Sequence, residues 1–383
     1  MGSSSLKTLW VFPSLREGLR YWAVFFCSLQ KADIQVSVLT VTPPEKVEPD
    51  LRLKVIPGLF RTIKRQSATD PYGADVALVS PRLILDVLHE RPDVVVAIEY
   101  SLATFWSAIA CRLLGIKLLI FTEHWPVTSV QRSALKGIWR RFLARIAHGF
   151  VANTSEAREY VVKGLGARES QVFLTPIVSP PAAEQLCKLG APLPELPQRP
   201  VFLFVGRLIP QKGVECLLAA AAILHGKGYR FCVWIVGEGI AWAGLLQWVE
   251  VHGLADVVRF FGHVPYEGIG SFYAKSDAFV LPTRQDYFPV AVLEAMSFGL
   301  PVLVSKHAGS AGSMVHHGEN GFVFDPDHPQ ELGAFMEQLI REPEMIKIMG
   351  EDSKAKIAPY TQGNAVRLFE KAVRTLIQAK RHR

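Results

Sequence analysis

The sequence predicts an α/β chain of two doubly wound domains, each a parallel sheet covered on both faces by helices. Three observations predict it. Short apolar runs alternate with segments of helical spacing, and this rhythm occurs twice. Between the two halves lies "SPPAAEQLCKLGAPLPELPQRP", residues 179–200, with six prolines in twenty-two residues. Buried parallel strands read as near-continuous apolar runs, and strands alternating with helices indicate crossover units. Proline fixes φ and lacks a donor, so the third stretch joins neither sheet nor helix for long. The domains so delimited are 1–178 and 179–361, with a C-terminal helix at about 362–383 packing back on the first. At 383 residues the chain is longer than one core usually covers.

In the first half "KTLWVF" is a short apolar run, "LRYWAVFFCSLQKA" has helical spacing and "IQVSVLTV" is β-branched. "PRLILDVLHER", "DVVVAIEY", "ATFWSAIACRLLG" and "KLLIFTEHW" continue the alternation. The second half reads "VFLFVG", "VECLLAAAAILHGKG", "FCVWIVG", "WAGLLQWVEVHG", "VVRFFG", "YEGIGSFYAKS", "AFVLP", a helix from about Pro289 to Phe298, then "PVLVS". Two such domains face each other across a deep cleft at the carboxyl ends of their strands, where open α/β sheets bind ligands.

Composition narrows the class. Nearly half the residues are apolar and a fifth are charged, as in ordinary globular proteins. Five scattered cysteines (Cys27, Cys111, Cys187, Cys216, Cys232) form no Cys-x-x-Cys pair, which argues against a disulfide framework or zinc site and fits a reducing cytoplasm. No apolar run approaches the roughly eighteen residues of a membrane span, and the start "MGSSSLKTLWVFP" lacks a signal-peptide pattern. A net charge of +7 permits an anionic ligand or surface and chooses neither. No zinc knuckle, RNP-type strand or long basic tail supports nucleic acid.

Chemistry concentrates in "RQDYFPVAVLEAMSFGLPVLVS", residues 284–305. Pro289 suits a first helical turn, and Gly299 suits the stop. The N-terminus of that helix offers amides and a partial positive charge, a seat for phosphate. Glu294, five residues on, lies roughly 7 to 8 Å along the axis, a phosphate-to-ribose offset. A carboxylate accepts from two vicinal hydroxyls at once. Asp286, in the preceding turn, faces the group beyond the phosphates. From this stretch alone, a helix-end ion pair accounts for Glu294 equally well. "VGRLIPQKG", residues 205–213, places Arg207 and Lys212 across a turn loosened by Gly206 and Gly213, where both reach one diphosphate. Taken alone, that turn reads as a solvated basic loop.

Together these segments resemble the family-four retaining glycosyltransferases of GT-B architecture, two facing Rossmann-like domains with parallel sheets and a deep interdomain cleft. "GRLIPQK" matches the family loop that gives an Arg and a Lys to the donor diphosphate, and Asp286-"YFPVAVL"-Glu294 matches its acid-x7-acid segment. "VGEG" with Glu238, and "FFGHV" with His263 and Val264, look like its loops around the nucleotide. "HHGENGFVFDP" looks like its later strand entry. The resemblance implies catalytic roles for Arg207, Lys212, Asp286 and His124, the last at the end of "FTEH". It implies donor contacts from Gly206, Glu238, His263, Val264, Phe288, Pro289, Val290, Glu294, Gly309, Ser310 and Gly18. The first domain takes the acceptor side and the second the nucleotide sugar.

There are departures. The first acid is Asp rather than Glu, and the family's "GGxxE" turn is "GSAGS" with Ser313 in the acid's place; amides of Gly309, Ser310 and Ala311 remain to bind sugar or phosphate. The first-domain glycine loop retains only Gly18. The implied reaction moves a sugar from a UDP- or GDP-sugar to a hydroxyl of a glycan or lipid-linked acceptor, with no cofactor and no metal; "DPD", Asp325–Asp327, reads as a chance Asp-x-Asp string. A binding subunit without activity, or a sugar-nucleotide epimerase, uses the same scaffold. Finally, "RSALKGIWRRFLARI", residues 132–146, sets Leu135, Ile138, Trp139, Phe142, Leu143 and Ile146 on one helical face beside five cations and no acid. That face either joins the core or meets an anionic membrane surface, which makes the chain cytoplasmic or peripheral at the inner face.

Overall fold

The computed structural model describes residues 5–13, 19–40, 52–55, 62–63, 76–77, 79–123, 134–176, 199–309 and 311–378. The chain divides into two compact units: Met1–Ser179 with Gln362–Arg383, and Pro180–Thr361.

The first unit carries strands β1 (Leu6–Phe12), β2 (Ile34–Thr40), β3 (Arg52–Val55), β4 (Thr62–Ile63), β5 (Val76–Ala77), β6 (Val94–Ile98), β7 (Lys117–Thr122), β8 (Gly149–Ala152) and β9 (Val172–Leu174). Seven of these form one sheet in the order β3-β2-β1-β6-β7-β8-β9, and its neighbouring pairs are parallel. β4 and β5 form a small antiparallel pair. Helices α1 (Leu19–Lys31), α2 (Leu83–Glu90), α3 (Leu102–Leu114), α4 (Ala134–Ile146) and α5 (Ser155–Glu159) connect the strands. Two cores follow from strand alternation. Trp10, Phe25, Phe26, Val36 and Val96 face one side, and Leu9, Val11, Val95, Leu83 and Cys111 face the other. Each fully buried phenylalanine contributes about 1.5–3 kcal/mol.

In the second unit β10 (Val201–Val205), β11 (Cys232–Val236), β12 (Val258–Gly262), β13 (Ala278–Leu281), β14 (Val302–Ser305) and β15 (Gly321–Phe324) pair in parallel in the order β12-β11-β10-β13-β14-β15. Every residue of β10, β11, β13 and β14 is buried, as unbroken apolar runs require. The helices are α6 (Val214–Gly226), α7 (Trp242–Val251), α8 (Gly270–Lys275), α9 (Val290–Ser297), α10 (Pro329–Arg341) and α11 (Pro343–Ile357). The last helix, α12 (Gln362–Gln378), lies with the first unit. Its Phe369 packs 5.1 Å from Trp10 and 5.8 Å from Phe25, ring centre to ring centre.

The apolar residues of helix α4 divide between buried and exposed positions. Leu143 is buried, and Trp139 donates its indole N–H to the Tyr100 carbonyl at 2.8 Å. Leu135, Ile138, Phe142 and Ile146, spaced three, four and four apart, are exposed, with Leu135 at 80%. The expected single face is therefore two: one in the core and one outward among Lys136, Arg141 and Arg145. Among the described residues, no helix is long and apolar enough to cross a membrane.

Candidate active site

The carboxyl ends of β10–β14 bring the second unit's predicted residues together. After β10 the chain runs through Gly206 and Arg207 into a 3-10 turn, Pro210–Lys212, and Gly213 then starts α6. Gly213 has φ 63°, and a Cβ there would stand 2.1 Å from the Pro282 carbonyl oxygen, so only glycine fits. Gly237, after β11, has φ 136°; a Cβ on it would stand 1.9 Å from the Gly206 carbonyl oxygen. These close approaches let neighbouring loops bond to one another. Gly206 N–H donates to the Val236 carbonyl at 3.0 Å, Leu208 N–H to the Glu238 carbonyl at 2.8 Å, and Gly237 N–H to the Gly262 carbonyl at 2.8 Å. The Glu238 carboxylate accepts from His263 N–H at 3.1 Å, which ties the third loop to the second.

The loop after β13 is fastened on the other side. Thr283 Oγ1 and Arg284 N–H both donate to the Gln211 carbonyl, at 2.9 and 2.8 Å. Lys212 Nζ lies 2.5 Å from Asp286 Oδ2, with the side chains only 12% and 14% exposed. The two motifs that are 74 positions apart in sequence thus meet in one ion pair. Arg207, five residues before Lys212, is exposed, and Gly206 is half-buried. Helix α9 begins one residue later than expected, at Val290. Pro289, with φ −75° and ψ 96°, is its N-cap, and no side chain caps the first turn. The first turn also carries no acid, so its partial positive charge is unopposed there. Phe288 and Pro289 are buried and Val290 is half-buried.

Glu294, expected to meet a ribose, is enclosed by side chains of its own unit. It is 3% exposed, and each carboxylate oxygen accepts a phenol at 2.8 Å, Oε1 from Tyr266 and Oε2 from Tyr273. Burial raises its pKa, and the two phenols pull it partly back. The turn after β14 corrects a second expectation. Gly309 N–H donates to the Asp286 carbonyl at 2.8 Å and Ala311 N–H to the Ala308 carbonyl at 3.0 Å, so neither amide is presented to a sugar or phosphate. The Gly309 bond, with Asp286 N–H donating to the His307 carbonyl at 3.3 Å, fixes the backbone of Asp286 instead. Ser313 Oγ, in the place of the family's acid, donates to the Gly309 carbonyl at 3.2 Å and braces the same turn. Ser310, Gly18 and His124 lie outside the described residues. His263 and Glu238 are exposed and Val264 is half-buried.

The Asp-x-Asp string is accounted for by ion pairs. Asp325 Oδ2 lies 2.5 Å from Lys306 Nζ, and that bond, with a backbone amide from Asp327, lowers its pKa to about 2. Asp327 pairs with Arg284 at 2.5 Å, and Arg284 also reaches Glu215 at 3.3 Å. Among the described residues no group of three or more His, Cys, Asp or Glu is placed to hold a metal ion.

Sequence reading missed Tyr266, Tyr273 and, in the first unit, Glu99. Glu99 follows β6 with φ 56°, uncommon for a residue with a Cβ. Its carboxylate accepts from Thr122 Oγ1 at 3.0 Å and from Glu123 N–H at 2.8 Å. Glu123 in turn accepts from Asn153 Nδ2 at 2.9 Å. The ends of β6, β7 and β8 are thereby clasped, and Glu123 serves in that clasp. The only signal available was an acid placed directly after a buried strand.

Comparison with known proteins gives the chain's family and fold. Residues 191–356 match the family model "Glycosyl transferases group 1", and residues 20–177 match "Glycosyltransferase Family 4". The chain is 26% identical to the alpha-D-kanosaminyltransferase of Streptomyces kanamyceticus over 348 residues, which is 82% of this chain and 88% of that one. It is 28% identical to a D-inositol 3-phosphate glycosyltransferase of Thermobispora bispora, over 62% of this chain and 58% of that one. The crystal structure of Anabaena HepE in complex with UDP superposes with a TM-score of 0.72 at 18% identity, covering 97% of this chain and 100% of that one. The two family models fall one on each unit and the GT-B fold extends across both, so the chain belongs to the family-four glycosyltransferases and has the GT-B fold.

Proposed function

We propose that the protein transfers a hexosyl unit from a UDP- or GDP-sugar to a hydroxyl of a glycan or lipid-linked acceptor, with retention of anomeric configuration. The observation that carries this reading is the pairing of Lys212 with Asp286 at the carboxyl ends of β10 and β13, next to the start of α9, which no side chain caps; Arg207 lies on the same loop as Lys212. Two cations and a helix end suit a diphosphate, and the crystal structure of HepE with UDP supports a nucleotide of that kind. The C1–O bond to the diphosphate breaks, and its electron pair leaves with the diphosphate. Arg207, Lys212 and the α9 amides stabilise the charge that develops, often the largest catalytic term. The acceptor oxygen bonds to C1 from the face the diphosphate leaves, and its proton passes to the departing phosphate oxygen. Asp286, held by Lys212 and by its own carbonyl on Gly309, borders the sugar. The charge is met by side chains and amides, so no metal is needed.

The test is incubation of purified protein with UDP- and GDP-sugars, with and without an acceptor. Transfer or slow donor hydrolysis supports the reading. Donor epimerisation without an acceptor, or no turnover of any donor that binds, contradicts it.

The outward stripe of α4 favours a lipid-linked acceptor at an anionic surface. Apolar side chains at 135, 138, 142 and 146 flanked by Lys136, Arg141 and Arg145 fit the boundary of an anionic bilayer. Co-sedimentation with anionic but not zwitterionic vesicles, weakened by salt and by Phe142→Ser, is expected. Equal binding to both vesicle types, or none, contradicts it.

A further inference from the structure

We propose that Tyr266 gates the ribose site: its phenol holds one oxygen of Glu294 until the hydroxyls of an incoming nucleoside diphosphate replace it, and the loop that carries it moves as they do. The inference rests on the reading of Glu294 as the ribose acceptor. An ionised carboxylate accepts about four hydrogen bonds, so two phenols do not exhaust Glu294. Enclosure does. At 3% exposure neither oxygen can meet a vicinal diol unless a neighbour moves.

The two neighbours differ. Tyr273, on α8, is fully buried, and its ring stacks on Phe298 with centroids 5.4 Å apart and lies 5.9 Å from Phe279. Displacing it would open the core, which is costly. Tyr266 is half-buried and begins a single 3-10 turn, Tyr266–Gly268. It follows His263 and Val264 in the loop whose amide is held by Glu238. A phenol and a ribose hydroxyl are equivalent donors to a carboxylate, so the exchange replaces like with like. Until a nucleotide arrives, Tyr266 keeps a buried carboxylate satisfied. Apparent donor affinity is then lowered by the fraction of molecules in which the gate is shut.

The experiment measures Kd by calorimetry for UDP and GDP and for their 2′,3′-dideoxy forms, on the wild type, Tyr266→Phe, Tyr266→Leu and Glu294→Gln. Melting temperatures confirm that each variant is folded. The gate predicts that Tyr266→Phe and Tyr266→Leu bind the preferred ribonucleotide about tenfold more tightly, while their Kd for the dideoxy form equals that of the wild type. Unchanged or weaker ribonucleotide binding by both variants overturns the gate, and so does equal tightening for the dideoxy form. Glu294→Gln separates the two ideas. If it loses ribonucleotide affinity while the Tyr266 variants gain none, Glu294 keeps its role and only the gate fails. If it binds as the wild type does, the ribose reading itself fails and the gate with it.

Discussion

Replacing Lys212 by alanine removes the cation that joins the two site motifs. Its ammonium lies 2.5 Å from Asp286 Oδ2, and both side chains are about seven-eighths buried. Removing one partner of a buried pair costs 3–5 kcal/mol, because the other charge stays behind desolvated. Here Asp286 retains 14% of its exposure, so a loss nearer about 2–3 kcal/mol is expected. Urea denaturation at neutral pH measures it, and Asp286→Ala added to Lys212→Ala should return part of the loss as coupling. Stability alone would not separate a structural pair from a catalytic one. On the proposed reading Lys212 also meets the leaving diphosphate, and turnover at saturating donor should then fall about 100- to 1,000-fold, as when one preorganised donor to a developing charge is removed. Arg207→Ala should lose activity on a similar scale, and Asp325→Ala should keep it. A Lys212→Ala enzyme that is destabilised as stated but transfers at close to the wild-type rate would refute the diphosphate role. A loss for Asp325→Ala equal to that for Lys212→Ala would do the same.

Other outcomes follow from the same geometry. Asp286→Asn releases Lys212 from its counter-charge, so calorimetry should show tighter nucleoside diphosphate binding while transfer slows. Glu294, raised by burial, carries a proton in the folded state over a pH range where the unfolded chain has lost it, above about 4.3. Its contribution to stability is therefore greatest below that value and declines as pH rises through the folded pKa. Ribonucleotide affinity should run the opposite way, weakening as pH falls through that pKa, and Glu294→Gln should flatten both profiles. Gly213→Ala forces a left-handed residue and a 2.1 Å approach to Pro282, so donor affinity and melting temperature should fall together. Exhaustive chelation should leave the rate of transfer unchanged, measured with product quantified by mass spectrometry.

The sheets were legible because their strands are buried on both faces. "VFLFV", "CVWIV", "AFVL" and "VLVS" have no polar alternation, only length and the glycines and prolines that end them, and each became a fully buried strand. The meeting of Lys212 and Asp286 was legible because loops at the carboxyl ends of adjacent parallel strands converge, and β10 and β13 are neighbours. What was not legible depends on long-range pairing. Tyr266 and Tyr273 reach Glu294 across 28 and 21 positions, and nothing local to "AVLEAM" signals two phenols. The Gly309 amide was expected to face ligand, but its direction follows from the bridge between Asp286 and Ala308, a tertiary contact. For α4, amphipathic spacing gives the angle of the apolar residues about the axis but not which sector faces the sheet. Trp139 and Leu143 were drawn in, and Phe142, between them in position, was left out.

The most direct test is a crystal structure of the protein soaked with the nucleoside diphosphate it binds. The account predicts phosphate oxygens within hydrogen-bonding distance of Arg207, of Lys212 and of the Val290 and Ala291 amides, with the pentose on Glu294. A diphosphate bound away from the start of α9, or a pentose with no contact to that carboxylate, would contradict it.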